Sequence, residues 1–139
     1  MSAKKRILVA DDEPNIRLLY QSELEAEGFE VLLAQDGKEA LAMVESEKPD
    51  LVILDIRMPG IDGVEALGQI IDQNRTMPVI LNSAYSAYEE NFMTWSADAY
   101  VVKSGDTSVL IDKVKEVLAR RESDASGEPD QSGESGESS

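Results

Sequence analysis

Short apolar runs alternate with stretches of helical spacing along most of this chain, and this alternation constrains the fold more than any other feature. Each run is rich in Val, Ile and Leu, as strands buried on both faces are. Alternation of such strands with helices is typical of a parallel sheet built from strand–helix units. We therefore predict an α/β fold with strands at residues 6–10, 30–34, 51–54, 78–81 and 99–102.

Helix signals fall between these strands. Pro14 suits a first helical turn, and Gly28 is placed to end that helix. The second helix opens with Asp36 and Glu39 at capping-box spacing. Asp106 can cap the last helix. We expect the inward faces to be Ile16, Leu19 and Leu24 in the first helix, Ala40, Leu41 and Val44 in the second, and Leu110, Val114, Val117 and Leu118 in the last.

Composition divides the chain into a body and a tail. Residues 1–121 contain all the predicted elements and enough apolar residues for one packed core. From Glu122 onward the chain contains only Ser, Gly, Pro, Ala, Gln and acidic residues. Such a segment cannot offset the entropy lost on ordering. We therefore predict a single domain over residues 1–121 and a disordered acidic tail over residues 122–139.

Composition also excludes several classes of function. The chain has no cysteine and no histidine, which excludes disulfides, zinc sites of the usual ligand set and imidazole chemistry. Any metal must be held by oxygen ligands, which favour Mg²⁺ or Ca²⁺. The formal net charge of −15 disfavours nucleic acid as a partner. Since no apolar run suits a signal peptide or a membrane span, we predict a cytoplasmic protein without a membrane partner.

Polar side chains follow four of the five predicted strands. Asp11 and Asp12 follow the first strand, Asp55 the third, Ser83 the fourth and Lys103 the fifth. Each residue alone could be a helix cap, a turn residue or a surface group. In an open parallel sheet, however, ligands bind beyond the carboxyl ends of the strands. The shared position of the five residues therefore indicates one site.

Three carboxylates placed close together repel one another unless a cation lies among them. Mg²⁺ is typically held by one or two carboxylates and leaves coordination positions open for phosphoryl oxygens. One carboxylate can then act as a nucleophile and form an acyl phosphate, while Lys103 and Ser83 each take a phosphoryl oxygen. The set therefore indicates Mg²⁺-dependent phosphoryl transfer to a carboxylate.

Four segments carry a family resemblance: ILVADDE at residues 7–13, LVILDIRMPGIDG at 51–63, ILNSAY at 80–85 and DAYVVKS at 98–104. Through them, residues 4–121 resemble the response-regulator receiver family of two-component signalling. The resemblance implies a flavodoxin-like (βα)5 fold, with a five-stranded parallel sheet of order 2-1-3-4-5 and helices on both faces. It also implies a phosphoprotein of signal transduction, which catalyses only its own phosphorylation and dephosphorylation.

The resemblance implies a role for each site residue. Asp55 corresponds to the phosphoacceptor, and Lys103 to the lysine that contacts the phosphoryl group. Asp12 corresponds to a direct Mg²⁺ ligand and Asp11 to one that acts largely through water. Asp55 and the backbone carbonyl of Arg57 complete the protein ligands.

Two further residues correspond to the conformational switch of the family. Ser83 has the position of the hydroxyl that moves toward the phosphoryl group. Tyr100 has the position of the aromatic ring that turns inward when the hydroxyl moves, although composition alone would make it a packing residue. The chain departs from the family at Ser104, where members usually have proline after the lysine, commonly with a cis peptide bond. A cis bond before a non-proline residue is costly, so we predict a trans bond or a strained loop, on which the exact placement of Lys103 depends.

The absence of histidine implies that the phosphodonor is another molecule: a sensor histidine kinase, a His-phosphotransfer protein or a small acyl phosphate. The signal would leave by contact with a downstream protein target. Two alternatives remain open, namely a non-phosphorylated pseudo-receiver scaffold and a phosphohydrolase with an aspartate nucleophile. The hydrolase would need a second acid two residues after Asp55, where Arg57 stands instead.

Overall fold

The computed structural model describes residues 4–55, 63–73, 76–83, 98–103 and 106–126. These residues form five strands and four helices. The strands are β1 (Arg6–Ala10), β2 (Glu30–Ala34), β3 (Leu51–Asp55), β4 (Val79–Ser83) and β5 (Ala99–Val102). The helices are α1 (Pro14–Ala26), α2 (Gly37–Glu47), α3 (Gly63–Gln73) and α4 (Ser108–Ser126).

The five strands form one parallel sheet of order β2-β1-β3-β4-β5, which confirms the predicted fold and strand order. The predicted bounds of β1, β2 and β5 are also confirmed. The other two strands end later than predicted: β3 ends at Asp55, and β4, which begins at Val79 instead of Pro78, ends at Ser83. Two of the predicted site residues are therefore the last residues of their strands.

The core lies on both faces of the sheet, because alternate strand residues point to opposite sides. One cluster joins Leu8, Val52 and Leu81 to buried residues of α2 and α3. The other joins Ile53 and Ile80 to buried residues of α1 and α4. The predicted inward faces of α2 and α4 are confirmed, since all their predicted residues are buried: Ala40, Leu41, Val44, Leu110, Val114, Val117 and Leu118.

The inward face of α1 differs from the prediction at one residue. Leu24 is buried and Ile16 is partly buried, but Leu19 is 39% exposed. Tyr20 points inward instead and is only 3% exposed. The spacing i, i+4, i+8 from Ile16 through Tyr20 to Leu24 defines the buried stripe, and Leu19 lies about 100° away from Tyr20 around the helix.

The predicted helix ends have the expected local chemistry. Pro14 begins α1, and Gly28 follows its last turn with φ of +97°, a conformation that suits glycine. At α2, Asp36 Oδ1 accepts a hydrogen bond from Glu39 N at 2.8 Å, and Glu39 Oε1 accepts one from Gln35 N at 2.7 Å. Asp36 therefore caps the helix as predicted, while Glu39 bonds the backbone N–H one residue before the cap instead of that of Asp36 itself, as a capping box would require.

The last helix extends past the predicted boundary between domain and tail. We predicted disorder from Glu122, whereas α4 runs to Ser126, so that prediction is wrong for residues 122–126. Extension of an existing helix does not repeat the cost of nucleation, and Glu122 and Ala125 are good helix formers. Residues 127–139 lie outside the described residues. Among the described helices, none is long and apolar enough to cross a membrane.

Candidate functional site

Three carboxylates meet at the carboxyl edge of the sheet. The carboxylate oxygens of Asp11, Asp12 and Asp55 lie within 4.8 Å of one another. The side chains of Asp11 and Asp55 are only 2% and 6% exposed, whereas Asp12 is exposed. The structure therefore brings together all three predicted acidic residues, with two of them buried and one facing solvent.

The pairing of β1 with β3 explains this meeting. Ala10 is paired with Leu54, so Asp11 and Asp55 follow in parallel at the same level of the sheet. The backbone of Asp11 is held on both sides: its N–H donates to Ala34 O at 3.1 Å, and its carbonyl accepts from Arg17 Nη1 at 2.7 Å. Asp11 Oδ1 also accepts a hydrogen bond from Glu13 N at 3.0 Å. The orientation of this buried carboxylate is thus fixed locally.

Lys103 lies among the carboxylates. Its Nζ is 2.8 Å from Asp11 Oδ2, 3.3 Å from Asp55 Oδ2 and 3.7 Å from Glu13 Oε1. Its side chain is 16% exposed. The ammonium thus reaches the site although Ser104 stands in place of proline. The Lys103–Ser104 bond itself lies outside the described residues, so its predicted trans or strained geometry stays a prediction.

The charge on Lys103 is stabilised by its neighbours. Burial opposes this charge and alone would lower the pKa of Lys103. The hydrogen bonds and negative charges of Asp11 and Asp55 outweigh burial and raise the pKa from the ordinary 10.5 to about 12. The ammonium therefore stays charged at neutral pH and offsets part of the negative charge of the site.

The donor set fits a hard divalent cation. The site offers three carboxylates and, among the described residues, no nitrogen or sulfur ligand, and oxygen ligands are those that Mg²⁺ prefers. Lys103 carries a single positive charge among these acids, so negative charge remains in excess. Such an excess in a partly buried site favours binding of a divalent cation. Arg57, whose carbonyl is the other predicted ligand, lies outside the described residues.

The two predicted switch residues lie on neighbouring strands. Ser83 ends β4, where it is paired with Val102 of β5, so its backbone lies at the same edge of the sheet as Asp55. Tyr100 is paired with Leu81 and is buried in the core cluster of α2 and α3. An inward ring suits both a packing residue and one position of a switch aromatic, so the role of Tyr100 stays a prediction.

A buried polar group beside the site was missed by the sequence interpretation. Asn82 is 1% exposed and is paired with Asp55 across β3 and β4. Its Oδ1 accepts a hydrogen bond from Tyr20 Oη at 2.8 Å, and its Nδ2 donates to Val101 O at 3.0 Å. The signal in the sequence is an asparagine inside an apolar strand, where asparagine is uncommon.

Comparison with known proteins agrees with this geometry. A family model described as "Response regulator receiver domain" matches residues 7–115. The alkaline phosphatase synthesis transcriptional regulatory protein PhoP of Bacillus subtilis is 38% identical over 123 residues, which are 85% of this chain and 50% of PhoP. The chain thus spans half the length of this relative.

Solved structures show the same likeness. The response regulator protein TrrA of Thermotoga maritima, solved in complex with Mg²⁺-BeF, is 50% identical with a TM-score of 0.78, over 81% of this chain and 98% of TrrA. A complex of histidine kinase ThkA with TrrA gives 51% identity and a TM-score of 0.76, over 82% of this chain and 98% of the matched one. The chain therefore shares its fold with the response regulator protein TrrA over most of its length.

Proposed function

The chain belongs to the response regulator receiver domain family, and from this premise we propose that it accepts a phosphoryl group on Asp55 in a Mg²⁺-dependent step. The observation that carries the proposal is the meeting of Asp11, Asp12, Asp55 and Lys103 at one edge of the sheet. This set supplies a carboxylate nucleophile, oxygen ligands for a divalent cation and a fixed positive charge. These are the parts that phosphoryl transfer to a carboxylate requires.

In the proposed reaction, a carboxylate oxygen of Asp55 attacks the phosphorus atom of the donor. The new oxygen–phosphorus bond makes an acyl phosphate, and the bond from phosphorus to the donor group breaks. Lys103 Nζ lies 3.3 Å from Asp55 Oδ2, so its ammonium can stabilise the negative charge that develops on a phosphoryl oxygen. Mg²⁺, when bound, would neutralise further charge on the phosphoryl oxygens.

The residues that would hold Mg²⁺ differ in their surroundings. Asp12 is exposed and can offer an oxygen directly. Both oxygens of Asp11 already have partners, Oδ1 with Glu13 N and Oδ2 with Lys103 Nζ, which suits a role through water. The Arg57 carbonyl remains part of the proposed ligand set by family resemblance. Ser83 and Tyr100 remain the proposed switch residues on the same ground.

We propose a sensor histidine kinase or a His-phosphotransfer protein as the phosphodonor. TrrA, with which this chain shares 51% identity, has been solved in complex with a histidine kinase, which supports a kinase partner. Output would pass by contact to a downstream protein, in the cytoplasm. The chain would then act as a signalling module and not as a metabolic enzyme. The site does not support the pseudo-receiver alternative, because the chain retains the three aspartates and the lysine that phosphoryl transfer would need.

The proposal is tested by titration with Mg²⁺ and then with beryllofluoride, an analogue of the acyl phosphate, followed by amide chemical shifts. We expect a beryllofluoride response that requires Mg²⁺, and its loss in Asp55→Asn. Asp112→Asn is the matched control, since it removes the same charge from an exposed position of α4. A wild-type chain without a response to beryllofluoride would falsify the proposal. Repeated turnover of a phosphate ester would favour the hydrolase instead.

A further inference from the structure

Tyr20, Asn82 and Val101 form a buried hydrogen-bonded link across three elements. Tyr20 of α1 donates its hydroxyl to Asn82 Oδ1 at 2.8 Å, and Asn82 Nδ2 donates to the carbonyl of Val101 at 3.0 Å. Tyr20 and Asn82 are 3% and 1% exposed. A buried polar group is costly unless it is paired, so this link restricts the two side chains to one arrangement.

The link lies directly beside the proposed phosphoacceptor. Asn82 is paired with Asp55, so the two residues are at the same level of neighbouring strands. Ile53 and Ile80 lie two residues before Asp55 and Asn82 on the same strands, and both pack in the cluster that contains Tyr20. Asp55 and Asn82 therefore continue the sheet face that α1 covers.

Two groups that the proposed reaction uses follow the link along the chain. Ser83 is the residue after Asn82 at the end of β4. Lys103 comes two residues after Val101 and directly follows the last residue of β5. The Mg²⁺ ligands of the site, in contrast, come from β1 and β3 and their connections. The link thus lies next to the strand ends that carry Ser83 and Lys103, the two residues proposed to contact the phosphoryl group.

We propose that Tyr20 and Asn82 are positioning residues for phosphoryl uptake, which hold the ends of β4 and β5 so that Ser83 and Lys103 reach a phosphoryl group on Asp55. This inference rests on the proposed function. It assigns no contact between either residue and the phosphoryl group. The link acts by fixing strand ends, while Asp11 and Asp12 bind Mg²⁺ independently of it.

The protonation of Tyr20 is consistent with its role as donor. Burial raises the pKa of the phenol above its ordinary value, and the charges of Asp11 and Asp55 act in the same direction. Lys103 acts in the opposite direction without cancelling the rise. The hydrogen bond that the neutral phenol donates to Asn82 Oδ1 itself favours the protonated form. The hydroxyl therefore keeps its proton at neutral pH and can donate to Asn82 throughout the reaction.

The test measures two affinities of each variant: that for beryllofluoride in the presence of Mg²⁺ and that for Mg²⁺ alone. Tyr20→Phe removes only the hydroxyl and leaves Asn82 Oδ1 without this donor. In saturating Mg²⁺, we expect the Kd for beryllofluoride to rise roughly fivefold, as for loss of one buried hydrogen bond. The Kd for Mg²⁺ alone should stay unchanged, since its ligands lie on other strands. All titrations are made well below the melting temperature of each variant.

Two further variants distinguish positioning from simple destabilisation. Ile80→Val removes one methylene from the same strand and the same sheet face as Asn82 but no polar group. We expect it to lower stability without any change in either Kd. The double variant Tyr20→Phe/Asn82→Leu replaces both polar partners by apolar ones and should recover stability. Its affinity for beryllofluoride should nevertheless stay low.

The results that overturn the inference are distinct from those that overturn the proposed function. An unchanged Kd for beryllofluoride in Tyr20→Phe, or its full recovery in the double variant, makes the link purely structural. A parallel loss of Mg²⁺ affinity would show general loosening of the site and would also overturn the inference. A wild-type chain that binds no beryllofluoride refutes the proposed function, and this inference with it.

Discussion

Lys103 Nζ lies 2.8 Å from Asp11 Oδ2, closer than the 3.3 Å that separates it from Asp55 Oδ2. The ammonium is thus shared between a carboxylate proposed to act in Mg²⁺ binding and the carboxylate proposed to accept the phosphoryl group. Both carboxylates are buried, so an internal positive charge between them reduces their mutual repulsion. The proposed Mg²⁺ would therefore compete with Lys103 for the same negative charge.

Replacement of Lys103 by methionine should strengthen Mg²⁺ binding while it abolishes phosphoryl uptake. We expect the Kd for Mg²⁺ to fall by roughly tenfold, because a unit positive charge a few ångströms away is removed. The affinity for beryllofluoride should fall by about a hundredfold or more, as for loss of one group that stabilises the phosphoryl charge. Calorimetric titration measures both quantities.

The same variant should be less stable than wild type in the metal-free state, by about 3 kcal/mol, because a buried charge pair loses one partner. Saturating Mg²⁺ should restore most of the loss in a denaturant titration. Lys113→Met is the matched control, since Lys113 lies on α4 and its ion pair within the described part of the chain is with Glu116. Weaker Mg²⁺ binding in Lys103→Met would contradict the competition.

Asp11→Asn and Asp12→Asn should separate stability from metal binding. Asp11 is buried and pairs with Glu13 N and Lys103, so its substitution should cost about 2 kcal/mol of stability in the metal-free protein. Asp12 is exposed, and its substitution should change stability by less than about 0.5 kcal/mol. Both variants should bind Mg²⁺ roughly tenfold more weakly or worse. Equal losses of stability in the two variants would show that burial does not distinguish their roles.

Two glycines away from the site should respond in opposite directions to alanine. Gly68 lies inside α3, and a Cβ added there would meet no atom within 4 Å, so Gly68→Ala should add about 0.5–1 kcal/mol to the free energy of unfolding. Gly28 is equally uncrowded but has φ of +97°, and Gly28→Ala should cost about 1 kcal/mol. Chemical denaturation measures both. Destabilisation by Gly68→Ala would contradict an uncrowded helical position for this residue.

The fold and the edge that carries the site were predictable because both follow from strand direction. Buried parallel strands have a distinctive apolar composition, and their carboxyl ends meet at one edge. Asp11 and Asp55 could therefore be placed together from the sequence. The pairing of Ala10 with Leu54 gives the physical reason.

Other features depend on contacts that composition does not contain. Tyr20 points inward instead of Leu19 because of the rotation of α1 about its axis relative to the sheet and because of the hydrogen bond to Asn82. Neither can be read from the sequence. The end of α4 at Ser126 depends on helix propagation, which polar composition hides. The shorter distance from Lys103 to Asp11 than to Asp55 is a matter of side-chain packing.

The alkaline titration of Tyr20 tests the buried link without any ligand. Burial raises the pKa of Tyr20 above its ordinary 10.0, so the folded state favours the neutral phenol. The stability that the protein gains from the neutral phenol of Tyr20 is therefore fully present below about pH 10. It is lost as the pH rises through the pKa of Tyr20 in the folded protein. We expect phenolate absorbance to show one tyrosine ionising above about pH 10 in wild type, and this step to be missing in Tyr20→Phe.

The charge of Lys103 near Tyr20 allows a second test by the same titration. Lys103 lowers the pKa of Tyr20, so Lys103→Met should move the Tyr20 step to still higher pH, whereas Lys113→Met should leave it in place. The free energy of unfolding of wild type should also fall more steeply above about pH 10 than that of Tyr20→Phe. If the step that Tyr20→Phe removes had an ordinary midpoint at about pH 10, Tyr20 would ionise like an exposed tyrosine, and the buried link would then be wrong.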